Sequence, residues 1–311
     1  MLKVKCDSRF TDIRCLYKET LAMTHMINIQ PRKPRFDLSD VPVFWNDGDP
    51  VLTRFFDALS IHFPDGERFF IQSVRNYQDL VTDPKLREDI KNFFRQEAQH
   101  GIVHDQYNAV MQSQGIHVEK VIARFKLFIR LSQKHLPAKY LLAMTAAFEH
   151  ITAVLGEGAM EGEGEMFKNA HPAMRAMFMW HGVEEVEHKT VAFDVYETAA
   201  GGGYFTRASA LIIGTLLVHA VVGSVLWHML KIDKLQGQPL VLAKGFYRLY
   251  GPRGLITRLI PRYLDWFKPG FHPSDTEIPE KVNSWLAEYD KHQDPMEASR
   301  IVFNVPIAKA V

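Results

Sequence analysis

The sequence predicts an all-α fold, a four-helix bundle with additional C-terminal helices. Apolar residues recur every three or four positions through most of the chain, and the strict alternation of a half-buried strand is scarce. Proline stands where helices open, in Asp83-Pro84 and at Pro137 and Pro172. Glutamate and histidine recur at three- and four-residue spacing within two of these segments, which puts them on one face of a helix.

Residues 1–48 carry Pro, Asp and basic residues with little helical periodicity, and read as an arm packed over the domain. The only cysteines, Cys6 and Cys15, fall in this arm, which excludes a disulfide framework or a cysteine-based zinc site and points to a reducing compartment. The arm has no apolar core of a secretory signal, and Met23 and Met26 are alternative starts. From Asp49 to Leu80, Phe55, Phe56, Leu59, Phe63, Phe69, Phe70 and Val74 offer a core face, and Pro64 is expected to separate two helices. Asp83 caps a helix expected to run to about Gly115, and a shorter one follows over about 117–133. Pro137 starts the helix that carries Glu149. It is expected to end in the acidic, glycine-rich run 156–165, read as a loop or frayed end. Pro172 opens a helix expected to continue to about Tyr196, until Gly201-Gly202-Gly203 breaks it.

Ala208–Leu230 is a run of 23 residues without Asp, Glu, Lys or Arg. That is long enough to span a bilayer, for which about 20 apolar residues suffice. Its two readings are a fully buried bundle helix and a membrane contact. Lys231–Lys268 holds eight basic residues against Asp233 and Asp265, with Tyr247, Tyr250, Tyr263 and Trp266 interleaved. Such a stretch is either a solvated helical face or a surface for anionic lipid. A single span would put it on the side the positive-inside rule disfavours, so attachment to one leaflet is the better membrane reading.

At 311 residues and 47% hydrophobic content the chain can bury a large core. A net charge of +1 gives no global field for nucleic acid, which is not expected as a partner. The expected division is an arm over 1–48, a metal-binding helical bundle over 49–200, an apolar helix with basic aromatic helices over 201–270, and a tail over 271–311.

The metal expectation rests on Glu97-x-x-His100 and His181-x-x-x-Glu185-x-x-His188. With 18 Glu and 14 His in the chain, about 0.8 Glu-x-x-His matches arise by chance, so one match would mean little. Two matches inside helical segments mean more, and a two-metal bundle also needs one carboxylate from each of two further helices. Glu67 stands 30 residues before Glu97, and Glu149 36 before Glu185, each gap fitting one helix-turn-helix step. Hard carboxylate oxygens stabilise ferric iron and can bridge two ions, while imidazoles complete each sphere and leave positions open. Glu67 and Glu149 are expected as terminal ligands, Glu97 and Glu185 as bridges, His100 and His188 as one imidazole per metal. His181 is expected as a third imidazole ligand, the alternatives being a hydrogen-bond partner behind the ligands or a satisfied core histidine. His104 is expected behind the ligands and His150 in a structural role, with Glu184 and Glu187 on a solvated face or in salt bridges. The competing account is a bundle of buried Glu–His hydrogen bonds without metal.

At these residues the chain resembles the ferritin-like di-iron carboxylate superfamily. It is similar in particular to the bacterial family of predicted metal-dependent hydrolases, through Phe44-Trp45-Asn46, the Pro64–Phe70 run, Gln96–His100 and Trp180–Lys189. The likeness covers roughly residues 40–270. The ladder with an additional histidine is similar to that of di-iron arylamine N-oxygenases. The resemblance implies ligands at Glu67, Glu97, His100, Glu149, His181, Glu185 and His188, and it carries over no substrate.

The leading expectation is an oxidoreductase that uses two iron ions, with manganese or a mixed pair as alternatives, to activate dioxygen on a small-molecule or acyl substrate. No flavin or nicotinamide motif is present, so electrons would come from a separate donor. The alternative is a hydrolase with metal-activated water, and a lower-ranked one is a non-enzymatic iron-binding or membrane-associated bundle. The expected location is cytoplasmic with an optional peripheral membrane contact, and a homodimer is an allowed assembly.

Overall fold

The computed structural model describes residues 28–161 and 166–305. Cys6, Cys15, Met23 and Met26 lie outside the described residues. The fold is all-α; among the described residues the β pairing is a single bridge between Asn46 and Ala170.

Helix α1 (Pro50–Arg75) opens on Asp49, whose Oδ1 accepts from the Leu52 N–H at 3.0 Å. Helix α2 (Pro84–Ser113) opens in the same way, with Asp83 Oδ1 accepting from Leu86 N at 2.8 Å. Pro64 does not split the first segment. It lies within α1, where its missing N–H releases the Ser60 carbonyl, and Asn108 Nδ2 of α2 donates to that oxygen at 3.2 Å.

Helix α3 (Glu119–His135) leads to α4 (Ala138–Met160) and α5 (Pro172–His188). Part of the glycine-rich run is therefore helical, and its residues 162–165 lie outside the described residues. The helix is kept because Gly156 faces Gly182 of α5 backbone to backbone; a Cβ on Gly156 would lie 2.9 Å from the Gly182 carbonyl oxygen. The expected single helix from Pro172 is two, since α6 (Val191–Thr198) follows a slip at Lys189 and Thr190. Both residues stay right-handed helical in φ and ψ, so the direction of the chain is not reversed.

The bundle is read from its pairings. Asp57 meets Tyr107, Ser60 meets His104, and Glu67 lies against Gly101, so α1 and α2 are antiparallel. Glu149 meets His188 and Thr152 meets Glu185, so α4 and α5 are antiparallel too. Contacts of α1 with α4 and of α2 with α5 close the four into a ring.

Helix α7 (Tyr204–Ile232) lies across α1 and α4, followed by α8 (Pro239–Tyr250) and α9 (Leu255–Asp265). It is not the fully buried helix of one reading. Leu211, Gly214, Val225 and Met229 are buried, whereas Phe205 is 86% and Leu216 67% exposed. Only one stripe packs, because α1 and α4 approach from one side. By length and composition it is the one helix among the described residues that could cross a membrane, and a third of its most apolar window is buried.

The segment read as a tail carries α10 (Glu280–His292) and α11 (Pro295–Val302), both docked on α5. Asp294 Oδ1 caps α11 by accepting from Met296 N at 2.8 Å. The arm is tied in as well: its Trp45 stacks on Phe178 of α5 at 5.3 Å between centroids and donates from Nε1 to Asp57 of α1 at 2.9 Å.

Candidate metal centre

The ring of α1, α2, α4 and α5 encloses Glu67, Glu97, His100, Glu149, His181, Glu185 and His188, none more than 5% exposed. Each helix supplies the residues its periodicity puts on the inner face. One group combines Glu67, His100 and His181, a second Glu97, Glu149 and His188, and a third Glu97, His100 and Glu185; in each, one ligand atom per residue lies within 4.8 Å of the others. Glu185 faces both sides, with Oε1 3.0 Å from His181 Nε2 and Oε2 3.6 Å from His188 Nε2. His188 Nε2 is 3.1 Å from Glu97 Oε1 and 3.1 Å from Glu149 Oε2.

These short contacts are not hydrogen bonds. Both oxygens of Glu67, Glu97 and Glu149 are buried without a hydrogen-bond partner, as are His100 Nδ1, His181 Nε2 and His188 Nε2. Such atoms are rare in folded proteins and call for an explanation. In each group the ligand atoms are close enough together to share one ion. Two atoms bound at right angles to one ion, at about 2.1 Å each, stand about 3 Å apart, which matches the closest contacts. The competing account, Glu–His hydrogen bonds in place of metal, would need these contacts to align better than they do here.

The outer contacts fix which imidazole nitrogen is bare. His100 Nε2 is 3.1 Å from Glu184 Oε2, an acceptor, so Nε2 carries the proton and Nδ1 faces the cluster. His188 Nδ1 donates to Gln96 Oε1 at 2.9 Å, and Gln96 Nε2 donates to Glu187 at 2.7 Å. For His181 the chain is longer. Ser60 Oγ gives its proton to Asn108 Oδ1 at 2.9 Å and accepts from His104 Nδ1 at 2.8 Å; His104 Nε2 then accepts from His181 Nδ1 at 2.7 Å. In the neutral tautomers that these bonds select, each cluster imidazole turns its remaining nitrogen inward, the form that binds metal. Thr152 Oγ1 donates to Glu185 Oε2 and orients it.

Burial and mutual repulsion mark the same carboxylates. Burial, reinforced by the neighbouring carboxylates, pushes Glu67 well above its usual range. Burial pushes Glu97 up to about 8 and Glu149 to about 7. Glu185 goes the other way: burial opposes its charge, but His181 and His188 hold it well below the usual value. His188 is raised by the surrounding glutamates against burial. Among the described residues no Lys or Arg forms an ion pair with any of the four glutamates. Two divalent cations would balance four carboxylates, and the donor set of oxygen and imidazole nitrogen suits such ions.

His104 lies behind His181. His150 packs on Trp266 with centroids 4.9 Å apart, outside the cluster. Glu184 and Glu187 are not on a solvated face. They are buried in salt bridges to Arg32, at 3.1 and 2.8 Å. Sequence reasoning missed Gln96, Thr152 and Arg32. Gln96 and Glu184 had one signal, each preceding a cluster glutamate by a residue, about 100° round its helix. Arg32, 152 residues from Glu184, had none.

A family model described as predicted metal-dependent hydrolase matches residues 30–277. The match covers well over half of the chain, and the protein belongs to this family. Neither a curated protein nor a solved structure matches it.

Proposed function

We propose that the chain is a two-metal enzyme built on a ferritin-like bundle. Glu67, His100 and His181 would hold one ion and Glu149 and His188 the other, with Glu97 and Glu185 reaching both. The observation that carries this reading is the set of nine buried carboxylate and imidazole atoms in the cluster without hydrogen-bond partners.

The family's description supports hydrolysis as the reaction. When bound, the ion pair would lower the pKa of a water to near neutrality and polarise the oxygen of an ester-like bond. The chain's own residues set the conditions. Gln96, Glu184 and His104 fix the three ring orientations, and Thr152 holds Glu185. An apolar cavity of about 110 Å³ has Glu67 and Thr152 in its lining, which favours an apolar substrate.

A second reading, an oxygen-activating oxidoreductase with two irons and a separate electron donor, is favoured by the donor set itself. Four carboxylates and three imidazoles, with no thiolate, are hard ligands of the kind that stabilise ferric iron.

The deciding experiment is elemental analysis of the full chain purified without added metal, followed by two assays on the same protein. Close to two metal ions per chain are expected. Hydrolysis of p-nitrophenyl acyl esters that persists without oxygen supports the first reaction. Oxygen consumption by the reduced, iron-loaded protein without ester turnover would sink it in favour of the second. A chain that holds no metal under any loading condition removes both.

A further inference from the structure

Two apolar cavities lie between the cluster and the outer face of α7. The inner one, of about 110 Å³, has Glu67 and Thr152 at one end and Phe63 and Phe148 in its walls. The outer one, of about 290 Å³, reaches the exposed side chains of His219, Tyr250 and Ile260. Leu59, Ile151, Leu155, Val218 and Val222 line both, so the two cavities adjoin across these side chains. Together the volumes reach the lower end of ordinary ligand sites, about 300–1,000 Å³.

His62 and Ser132 are the polar residues of the inner lining with no role in the ligand cluster, and of the two His62 has an unpartnered buried side-chain atom. His62 Nδ1 donates to the Ala58 carbonyl oxygen of its own helix at 2.6 Å, which leaves Nε2 as a bare acceptor on the far side of the ring. That atom is buried without a hydrogen-bond partner, and His62 is 7% exposed. Phe125 meets the ring edge-on at 4.8 Å and holds its orientation. Burial lowers the affinity of His62 for a proton, so the ring stays neutral. A buried acceptor without a donor is unfavourable, and His62 is one of the residues that line the cavity containing Glu67.

We propose that the two cavities form one substrate channel for an apolar chain bearing a hydrogen-bond donor near its reacting end, and that His62 Nε2 receives that donor. The inference rests on the two-metal reading, because Glu67 is what makes the inner end the reacting end. The chain's methylenes lie among Leu59, Leu155, Val218 and Val222. A hydroxyl or amide N–H beside the reacting bond meets His62.

The test uses the full chain as purified, with 1-decanol as probe and decyl methyl ether as the same chain without the donor. Binding is read by displacement of a fluorescent apolar dye. The alcohol is expected to bind about five- to tenfold more tightly than the ether, the worth of one neutral hydrogen bond. His62→Phe brings the alcohol to the level of the ether and leaves the ether unchanged, while Val222→Trp weakens both. Equal binding of alcohol and ether to the unsubstituted chain, or equal loss of both in His62→Phe, overturns the role of His62. Unchanged binding in Val222→Trp overturns the channel. If circular dichroism shows that His62→Phe does not fold, His62→Leu is read in the same way. Metal content on the same samples separates the two claims: an alcohol preference in a chain that cannot bind metal sinks the two-metal reading alone, whereas two bound ions without that preference sink the role of His62 alone, and two bound ions with unchanged binding in Val222→Trp sink the channel alone.

Discussion

Glu184 and Glu187 flank Glu185 on α5 and are as deeply buried, yet the chain treats them differently. The flanking pair accepts the guanidinium of Arg32, which also lies over the Tyr289 ring at 5.0 Å. Burial pushes Glu184 up to about 7 against the pull of that guanidinium. Glu185, one residue away, turns inward to Glu67, Glu97 and Glu149, where three imidazoles stand in place of any Lys or Arg. Where a buried carboxylate is structural, this chain provides its own cation. Where it does not, the carboxylates form a cluster that could hold a cation from outside, and an unpaired buried charge otherwise protonates or costs several kcal/mol.

The strongest way to break this contrast is to remove an inner carboxylate. Glu185→Ala is expected to take metal content from close to two ions per chain to one or none, measured by elemental analysis; unchanged content would dissolve the distinction. On the outer side, Arg32→Met leaves two buried carboxylates unpaired and is expected to destabilise the fold by about 3–5 kcal/mol in denaturant titrations. If the variant also bound metal normally, the two regions would be energetically separate. Gln96→Leu and His104→Phe probe the seam between them. Each is expected to weaken metal binding by about 10- to 100-fold in competition with a chelator, His104→Phe chiefly through the ion held by His181.

The smallest effect concerns pH. In the metal-stripped chain Glu97 is pushed up to about 8 and Glu149 to about 7, against an ordinary value of 4.5. The folded state then binds more protons than the unfolded state between these values, so stability falls as pH rises from about 4.5 to about 8. The metal-loaded chain should lack that slope, because bound cations keep the carboxylates ionised. Melting curves from pH 5 to 8 with and without chelator check this, and parallel slopes would count against a metal role for Glu97 and Glu149.

Helix α7 offers a gentler contrast of the same kind. Its composition is apolar over most of its length, but its environment is not uniform, with Met229 fully buried and Leu216 mostly exposed. Hydropathy alone could not separate a core helix from a membrane contact, because both depend on what lies opposite.

Much of the bundle was legible because helix periodicity is local. Glu97 with His100, and His181 with Glu185 and His188, share faces by 3.6-residue geometry alone, and Asp83-Pro84 announces the start of α2 through its own cap. The sequence by itself therefore determined the helical class, the main helix starts and the residue types that face inward. The tertiary structure decided what faces them. Pro64 stays inside α1 because Asn108 of another helix takes up the released carbonyl. Glu184 and Glu187 leave solvent because Arg32 arrives from 152 and 155 residues away. His181 presents a bare Nε2 because Ser60 and Asn108 set the tautomer of His104. Each outcome depends on atoms distant in sequence, and a backbone repeat carries no information about which distant side chain will meet it.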